Sequence, residues 1–129
     1  MKKTKSLSKL KKELQLIFNT FIRLRDKDKP CISSGEYHND KDCGHYFPVG
    51  GFDSIRFDED NAHGESIRMN RFDDSHLIYY GENLKVRIGL ERYEALKQRA
   101  DDYKMHGYKW SRSDLIEKIQ YYKDKLKEF

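Results

Sequence analysis

The chain has 129 residues, of which 37% are charged, and its mean hydropathy is -1.00. A chain of this length forms one domain with a modest core and is too short for two. No apolar run reaches the roughly 20 residues that cross a bilayer, and no apolar segment follows the first lysines as in a secretory signal. Two cysteines cannot form a disulfide framework, so we expect a cytoplasmic protein without a membrane partner.

Charge is distributed unevenly along the chain. Residues 1–30 carry ten Lys and Arg and three Asp and Glu, which gives a net charge of +7. Residues 31–75 carry four basic and ten acidic residues, a net charge of -6, and residues 76–129 carry twelve basic and nine acidic residues, a net charge of +3. An acidic centre between basic arms suits a metal-dependent enzyme that acts on a polyanion. Lysine-rich helices that are simply well solvated are the alternative interpretation.

The first segment, residues 1–29, predicts a basic amphipathic helix over about residues 7–24. Apolar residues recur there at three- and four-residue steps, which is the spacing of one helix face. The helix should stop in RDKDKP, because the residue before Pro30 is pushed out of helical geometry. The other face and the helix end carry Lys9, Lys11, Lys12, Arg23 and Arg25.

The central segment, residues 30–75, predicts short extended pieces joined by turns. Five glycines and a proline interrupt residues 31–69, and CGHYFPV and SIRF are the best strand candidates. A β-hairpin here, followed by a helix from about Asn70, would form a ββα unit.

The last segment, residues 76–129, predicts further amphipathic helices. One should begin after Asp73 or Asp74 and end before Gly89, and the next should end near Gly107. The apolar stripe of that second helix is Leu90, Tyr93, Leu96, Ala100 and Tyr103.

A final helix has the clearest start signal. Ser111 followed three residues later by Asp114 fits a capping box, with Asp in place of the usual Glu or Gln. The expected fold is therefore α+β: a mainly helical single domain over residues 1–129, in which long amphipathic helices flank a small central hairpin-plus-helix unit.

One constellation in residues 31–70 points to chemistry. A Gly-His-aromatic triplet at residues 44–46 precedes RFDEDNAHG at residues 56–64, and a polar residue follows at Asn70. This order resembles the HNH, or ββα-metal, endonucleases, and it is most similar to the phage NinG (Rap) recombination nucleases. Their pattern runs C-x-x-C, G-H-aromatic, R-F-D-E-x-N-x-H-G-x-C and a last C-N. The resemblance extends over nearly the whole chain, through the flanking segments LSKLKKELQLIFNTFIRLRD, GLERYEAL and KWSRSDL.

The resemblance implies a role for three residues. A neutral His45 would take the proton from the attacking water, whereas a lone His is more often a partly buried structural residue. Asn61 would orient the catalytic loop by hydrogen bonds, with an ordinary turn Asn as the alternative. Asn70 would be a metal ligand, since an amide oxygen suits Mg²⁺ or Mn²⁺; a helix N-cap is the alternative.

The second ligand of this single Mg²⁺ or Mn²⁺ ion is less defined. Many HNH sites have an Asp before the catalytic His, but this chain has Gly44, as the NinG pattern also has a small residue there. His63 is the first candidate, and Asp42 and Asp58 are the alternatives.

Six cations are candidate contacts to DNA. Guanidinium groups match phosphate oxygens, although Arg56 and Arg71 could equally pair with Asp58, Glu59 or Asp73. The six predicted nucleic-acid-binding residues are Arg56, Arg71, Lys11, Lys12, Arg23 and Arg25.

The family pattern also implies a structural zinc site made by two C-x-x-C pairs. The four matching positions here are Cys31, Ser34, Ser66 and Met69. Because three thiolates are lost, we expect no zinc there, with Met69 and Ile67 filling the space. A makeshift set would be Cys31, His38, Cys43 and His45, which would consume the base.

The sequence thus predicts a metal-dependent DNA endonuclease that acts on branched recombination intermediates such as Holliday junctions or D-loops. Two symmetric cuts would need two sites, so a homodimer is expected, in the cytoplasm of a bacterial host. One alternative is a catalytically decayed module that binds DNA or a protein partner, as a phage structural or accessory protein. Another is an interaction protein whose terminal helices pair with a partner.

Overall fold

The computed structural model describes residues 4–129 and confirms a mainly helical α+β architecture. The first three residues of the predicted basic segment lie outside that range. No helix of the described residues is long and apolar enough to cross a membrane. The elements are α1 (Leu7–Arg25), β1 (Lys41–His45), β2 (Ala62–Ser66), α2 (Ile67–Phe72), α3 (His76–Ile88), α4 (Leu90–His106) and α5 (Arg112–Leu126).

Helices α1 and α5 pack together over the first core. Helix α5 begins at Ser111 as predicted, with the Ser111 hydroxyl accepting the N–H of Asp114. Helix α1 begins at Leu7 as predicted, and the Ser6 hydroxyl caps it by accepting the N–H of Lys9. Such N-caps satisfy backbone donors that a helix start leaves free. The first core comprises Leu10, Leu14, Phe18, Phe21, Ile22, Phe57, Ala62, Trp110, Leu115, Ile119 and Tyr122.

Helices α3 and α4 enclose a second core. They meet at Gly89, which has a φ of 85°, and α4 ends at Gly107, which has a φ of 69°. These left-handed values favour glycine because it lacks Cβ, so both predicted boundaries are confirmed. The second core comprises Ile32, Ile55, Tyr80, Leu84, Ile88, Tyr93, Leu96 and Ala100.

The β-hairpin lies between these two cores. Strands β1 and β2 are antiparallel, with His45 opposite Ala62 and Gly44 opposite His63. Because successive side chains of a strand point to opposite faces, His45 and Ala62 face α1 while His63 faces α3. The hairpin therefore presents two chemically separate surfaces.

Two local predictions are wrong. SIRF does not form a strand: Asp53–Ile55 is a 3₁₀ turn, because Ile55 enters the second core while Phe57 enters the first. Helix α2 does not begin at Asn70 but at Ile67, since the Ser66 hydroxyl caps it by accepting the N–H of Met69. Asn70 is thus neither the start nor the N-cap of a helix.

Candidate active site

Asn61 fixes the loop between the two strands. Its side chain is 0% exposed, and its Oδ1 accepts the N–H of Phe47 at 2.8 Å. Its Nδ2 donates to the carbonyl oxygens of Phe47 at 3.0 Å and Ile55 at 3.2 Å. Asn61 therefore crosses the interior of the loop, as a loop-organising residue must, and its part in catalysis stays a prediction.

His45, the last residue of β1, is held in one tautomer. Its Nε2 lies 2.9 Å from the carbonyl oxygen of Arg56, and since a carbonyl only accepts, Nε2 carries the proton. Burial lowers the pKa of His45 below its ordinary 6.5, in a half-buried position beside Phe18. The ring is thus neutral at pH 7, and Nδ1 keeps a lone pair that can accept a proton.

His63 lies on the other face of the hairpin. The Tyr80 hydroxyl donates to the carbonyl oxygen of Gly44 at 2.7 Å, so Nδ1–H of His63 donates to Tyr80 at 3.2 Å. Burial lowers the pKa of His63 to about 3. Its Nε2 keeps a lone pair, and its ring points to the hairpin face opposite His45. Its part as a metal ligand stays a prediction.

Asn70 instead contacts Asp42, the alternative second ligand. Asn70 Nδ2 donates to Asp42 Oδ2 at 3.0 Å, and Arg71 donates to both oxygens of that carboxylate, at 2.8 and 3.0 Å. Although burial opposes it, the hydrogen bonds from Arg71 and Asn70 lower the pKa of Asp42. Arg71 thus pairs with Asp42 rather than with Asp58, Glu59 or Asp73, which were the alternative partners.

The donor set suits a hard cation only in part. Asp42 and Asn70 offer carboxylate and amide oxygens, and Mg²⁺ is commonly bound by one or two protein carboxylates plus phosphate oxygens and water. No three His, Cys, Asp or Glu side chains of residues 4–129 form a metal-binding cluster, so the makeshift cysteine and histidine set is not assembled. Asp58, the other alternative second ligand, already pairs with Arg99 at 2.7 Å. Asp42 and His45 are three positions apart in β1, which is roughly 10 Å.

Most of the predicted DNA-contacting cations are engaged within the protein. Lys11 and Arg56 both pair with Asp53, at 2.9 and 3.0 Å, and Arg71 binds Asp42. Across the part of the chain that the structure describes, Lys12 and Arg23 form no ion pair. The charge available to an external phosphate is therefore smaller than the sequence suggests.

Arg25 is the most fully engaged of these cations. It binds both oxygens of Asp26, at 2.7 and 2.9 Å, and donates to the carbonyl oxygens of Glu59 and Ala62. Its guanidinium therefore ties the end of α1 to β2, and its predicted contact with DNA stays a prediction. The sequence could not reveal this, because an Arg-Asp pair at a helix end usually lies in solvent.

The positions that match the family's zinc ligands do lie together. Cys31 Sγ accepts the N–H groups of Ser34 at 3.4 Å and Ser66 at 3.1 Å. Although burial opposes it, these and other hydrogen bonds lower the pKa of Cys31 to about 7. The Ser34 hydroxyl accepts the N–H of Glu36, and Ser66 caps α2. Ile67 is 39% exposed, so it does not fill this space as predicted.

Restoring the thiolates should restore zinc binding. Because Cys31 Sγ already accepts backbone N–H groups from both other segments, at Ser34 and Ser66, the triple variant Ser34→Cys, Ser66→Cys, Met69→Cys is expected to bind one zinc ion in tetrahedral thiolate coordination. The midpoint of thermal unfolding should then rise with zinc and fall with a chelator. Cobalt(II) absorption would report the thiolates. The same variant carrying Cys31→Ser is the control. If zinc raised the unfolding midpoint equally in both variants, Cys31 would not be a zinc ligand and the prediction would be wrong.

A buried network that the sequence did not predict lies beside Gly44. Glu65 is 0% exposed; its Oε2 accepts the Ser33 hydroxyl at 2.5 Å and the Nδ1–H of His76 at 2.9 Å. Glu65 Oε1 has no hydrogen-bond partner among the described residues, and a Cβ on Gly44 would collide with it. The signal for this network in the sequence was Gly44, at a position where many HNH sites have Asp. A side chain at that position would occupy the space that the Glu65 carboxylate fills.

Comparison with known proteins shows the family. The family model described as Bacteriophage Lambda NinG protein matches residues 1–129. Protein ninG of Salmonella phage P22 is 33% identical over 118 residues, 91% of this chain and 56% of that protein. Protein ninG of Escherichia phage lambda is 36% identical over 87 residues, 67% of this chain and 43% of that protein. The chain spans about half the length of the curated relatives it matches, and no solved structure matches it. This chain belongs to the NinG family of bacteriophage proteins.

Proposed function

We propose that this chain is a metal-dependent DNA endonuclease of the HNH type that acts on branched recombination intermediates, Holliday junctions or D-loops, in the cytoplasm of the bacterial host. One observation carries the proposal. A neutral His45 has its Nε2–H fixed on the Arg56 carbonyl, and Nδ1 is left as a proton acceptor. Asn61 holds the loop that supplies that carbonyl.

His45 would act as the general base. A water molecule gives a proton to Nδ1 as its oxygen bonds to phosphorus, and the bond to the leaving oxygen breaks. That oxygen takes a proton from solvent, and the imidazolium returns its proton to solvent, which restores the neutral ring. The Arg56 carbonyl, by accepting Nε2–H, keeps the ring oriented and stabilises the imidazolium that forms. Bound through Asp42 and Asn70, Mg²⁺ or Mn²⁺ would supply charge stabilisation at the phosphate. The proposal requires Arg71 to release Asp42 when DNA binds. It also requires the DNA to be reached from both faces of the hairpin, since Asp42 and His45 point to opposite faces.

The second candidate is a module that binds DNA or a protein partner without catalysis. Two observations favour it. Asp42, with its partner Asn70, lies on the hairpin face opposite His45, and Arg71 binds both oxygens of the Asp42 carboxylate. A carboxylate already neutralised by a guanidinium is a weaker cation ligand.

Cleavage of labelled DNA by the wild-type protein separates the two candidates. We expect a four-way junction to be cut in Mg²⁺ or Mn²⁺ but not in EDTA, and a matched linear duplex to be cut more slowly. Asp42→Asn should raise the metal concentration that half-maximal cleavage requires. A folded protein that shifts the DNA in a gel yet cuts neither substrate would overturn the nuclease and leave the binding module. The mass in solution would test the expected homodimer.

A further inference from the structure

A basic cleft lies between the C-terminal half of α1 and the start of β1. Its volume is about 340 Å³. Three cations line it, Arg23, Lys27 and Lys41, against one carboxylate, Asp40. The lining charge is therefore +2, from three positive groups and one negative group. Neither the predicted catalytic residues nor the predicted metal ligands belong to this cleft.

Lys41 is the unusual member of the cleft. Its residue is 8% exposed, and its Nζ donates to the carbonyl oxygens of Lys27 at 3.2 Å and His38 at 3.0 Å. Buried charges in proteins are normally paired with an opposite charge, but Lys41 forms no ion pair among residues 4–129. An ammonium has three donors, so one is left for an anion.

Arg23 and Lys27 are exposed and equally unengaged by acids. Arg23 Nη2 donates to the Thr20 hydroxyl at 3.1 Å, and neither side chain forms an ion pair in the described part of the chain. Arg25, Arg56 and Arg71 are by contrast bound to carboxylates. A guanidinium beside two ammonium groups matches the several acceptor oxygens of a phosphate.

We propose that the cleft formed by Arg23, Lys27 and Lys41 binds a backbone phosphate of DNA, an inference that rests on the proposed function. Lys41 directly precedes Asp42 in β1, and their side chains point to opposite faces of the hairpin, so the cleft and the Asp42–Asn70 pair flank the same end of the strand. The cleft thus positions the DNA strand along the start of the hairpin. Phosphate contacts of this kind fix register without reading sequence.

The test measures binding of a short labelled duplex in EDTA, where no cleavage occurs, as a function of salt. Arg23→Ala with Lys27→Ala should lower affinity about tenfold or more and reduce the slope of log affinity against log salt by about 1. Lys85→Ala with Lys97→Ala is the control, because both lysines are exposed on α3 and α4 and the same charge is lost. That variant should keep the wild-type slope. Lys41→Met should lower the affinity and the slope in the same way. If Lys41→Met does not fold, the double variant Arg23→Ala with Lys27→Ala still tests the proposal.

Equal behaviour of the cleft and control variants would overturn the proposal and leave Lys41 as a brace between two loops. The proposal would also be overturned if the wild-type protein bound no duplex. It would be overturned too if a poly-glutamate peptide displaced the labelled duplex better than unlabelled duplex does. If the cleft variant loses binding while the wild type cuts no junction, the phosphate site stands and the nuclease fails. If junctions are cut and the cleft variant binds like wild type, the nuclease stands and this site fails.

Discussion

Replacing His45 with alanine is expected to lower the rate of junction cleavage by about 10²- to 10⁴-fold, the usual contribution of a general base. The reason lies in its tautomer: Nε2–H is committed to the Arg56 carbonyl at 2.9 Å, so Nδ1 is the available acceptor. Single-turnover cleavage at saturating enzyme would measure the chemical step, and a DNA affinity close to wild type would show that binding is intact. The unfolding midpoint of the variant should also be compared, because the ring packs beside Phe18.

The pH dependence of cleavage supplies an independent check. Burial lowers the pKa of His45, and a base acts only when unprotonated, so activity should rise with pH and level off with an apparent pKa below 6.5. His38→Ala is the matched control, since that side chain forms only a 3.8 Å pair with Glu36 and lies outside the proposed site. A His45→Ala rate within a few-fold of wild type would place the base elsewhere.

The helices of this chain could be predicted because their signals are local. Ser111 caps α5, Gly89 and Gly107 end helices with positive φ, and the apolar stripes follow a period of 3.6 residues. SIRF reads as a strand, but alternating apolar residues also suit a turn whose residues enter two different cores. Ile55 and Phe57 enter different cores on either side of the hairpin, which a strand pattern cannot distinguish.

The candidate site was only partly predictable because strand register decides which side chains meet. The motif pointed to Asn61, whose hydrogen bonds cross the loop. It could not show that His63 pairs with Gly44 and so faces away from His45. The contact between Asn70 and Asp42 joins residues that are 28 positions apart, and it depends on where α2 begins. A one-residue shift in register would reverse these assignments.

Replacing Asp26 with alanine is expected to lower the free energy of unfolding by about 3–5 kcal/mol, as breaking a buried ion pair usually does. Asp26 is 0% exposed, and it accepts two hydrogen bonds from Arg25 and one from the Gly64 N–H at 2.9 Å. The variant would leave a half-buried guanidinium uncompensated and a strand N–H without its acceptor. Urea unfolding at pH 7 would measure the loss. Asp28→Ala, an exposed residue in the same turn, should change stability by no more than about 0.5 kcal/mol.

The same carboxylate should make the stability difference depend on pH. Burial opposes ionisation of Asp26, but the hydrogen bonds and charge of Arg25 prevail and lower its pKa from 3.8 to about 2. A folded-state pKa below the unfolded value stabilises the fold above pH 3.8 and loses that contribution as pH falls toward 2. The gap between wild type and Asp26→Ala should therefore narrow by about 2 kcal/mol between neutral pH and pH 2. A gap that stays constant over this range would show that Asp26 stabilises the protein by packing alone, with no net contribution from its charge.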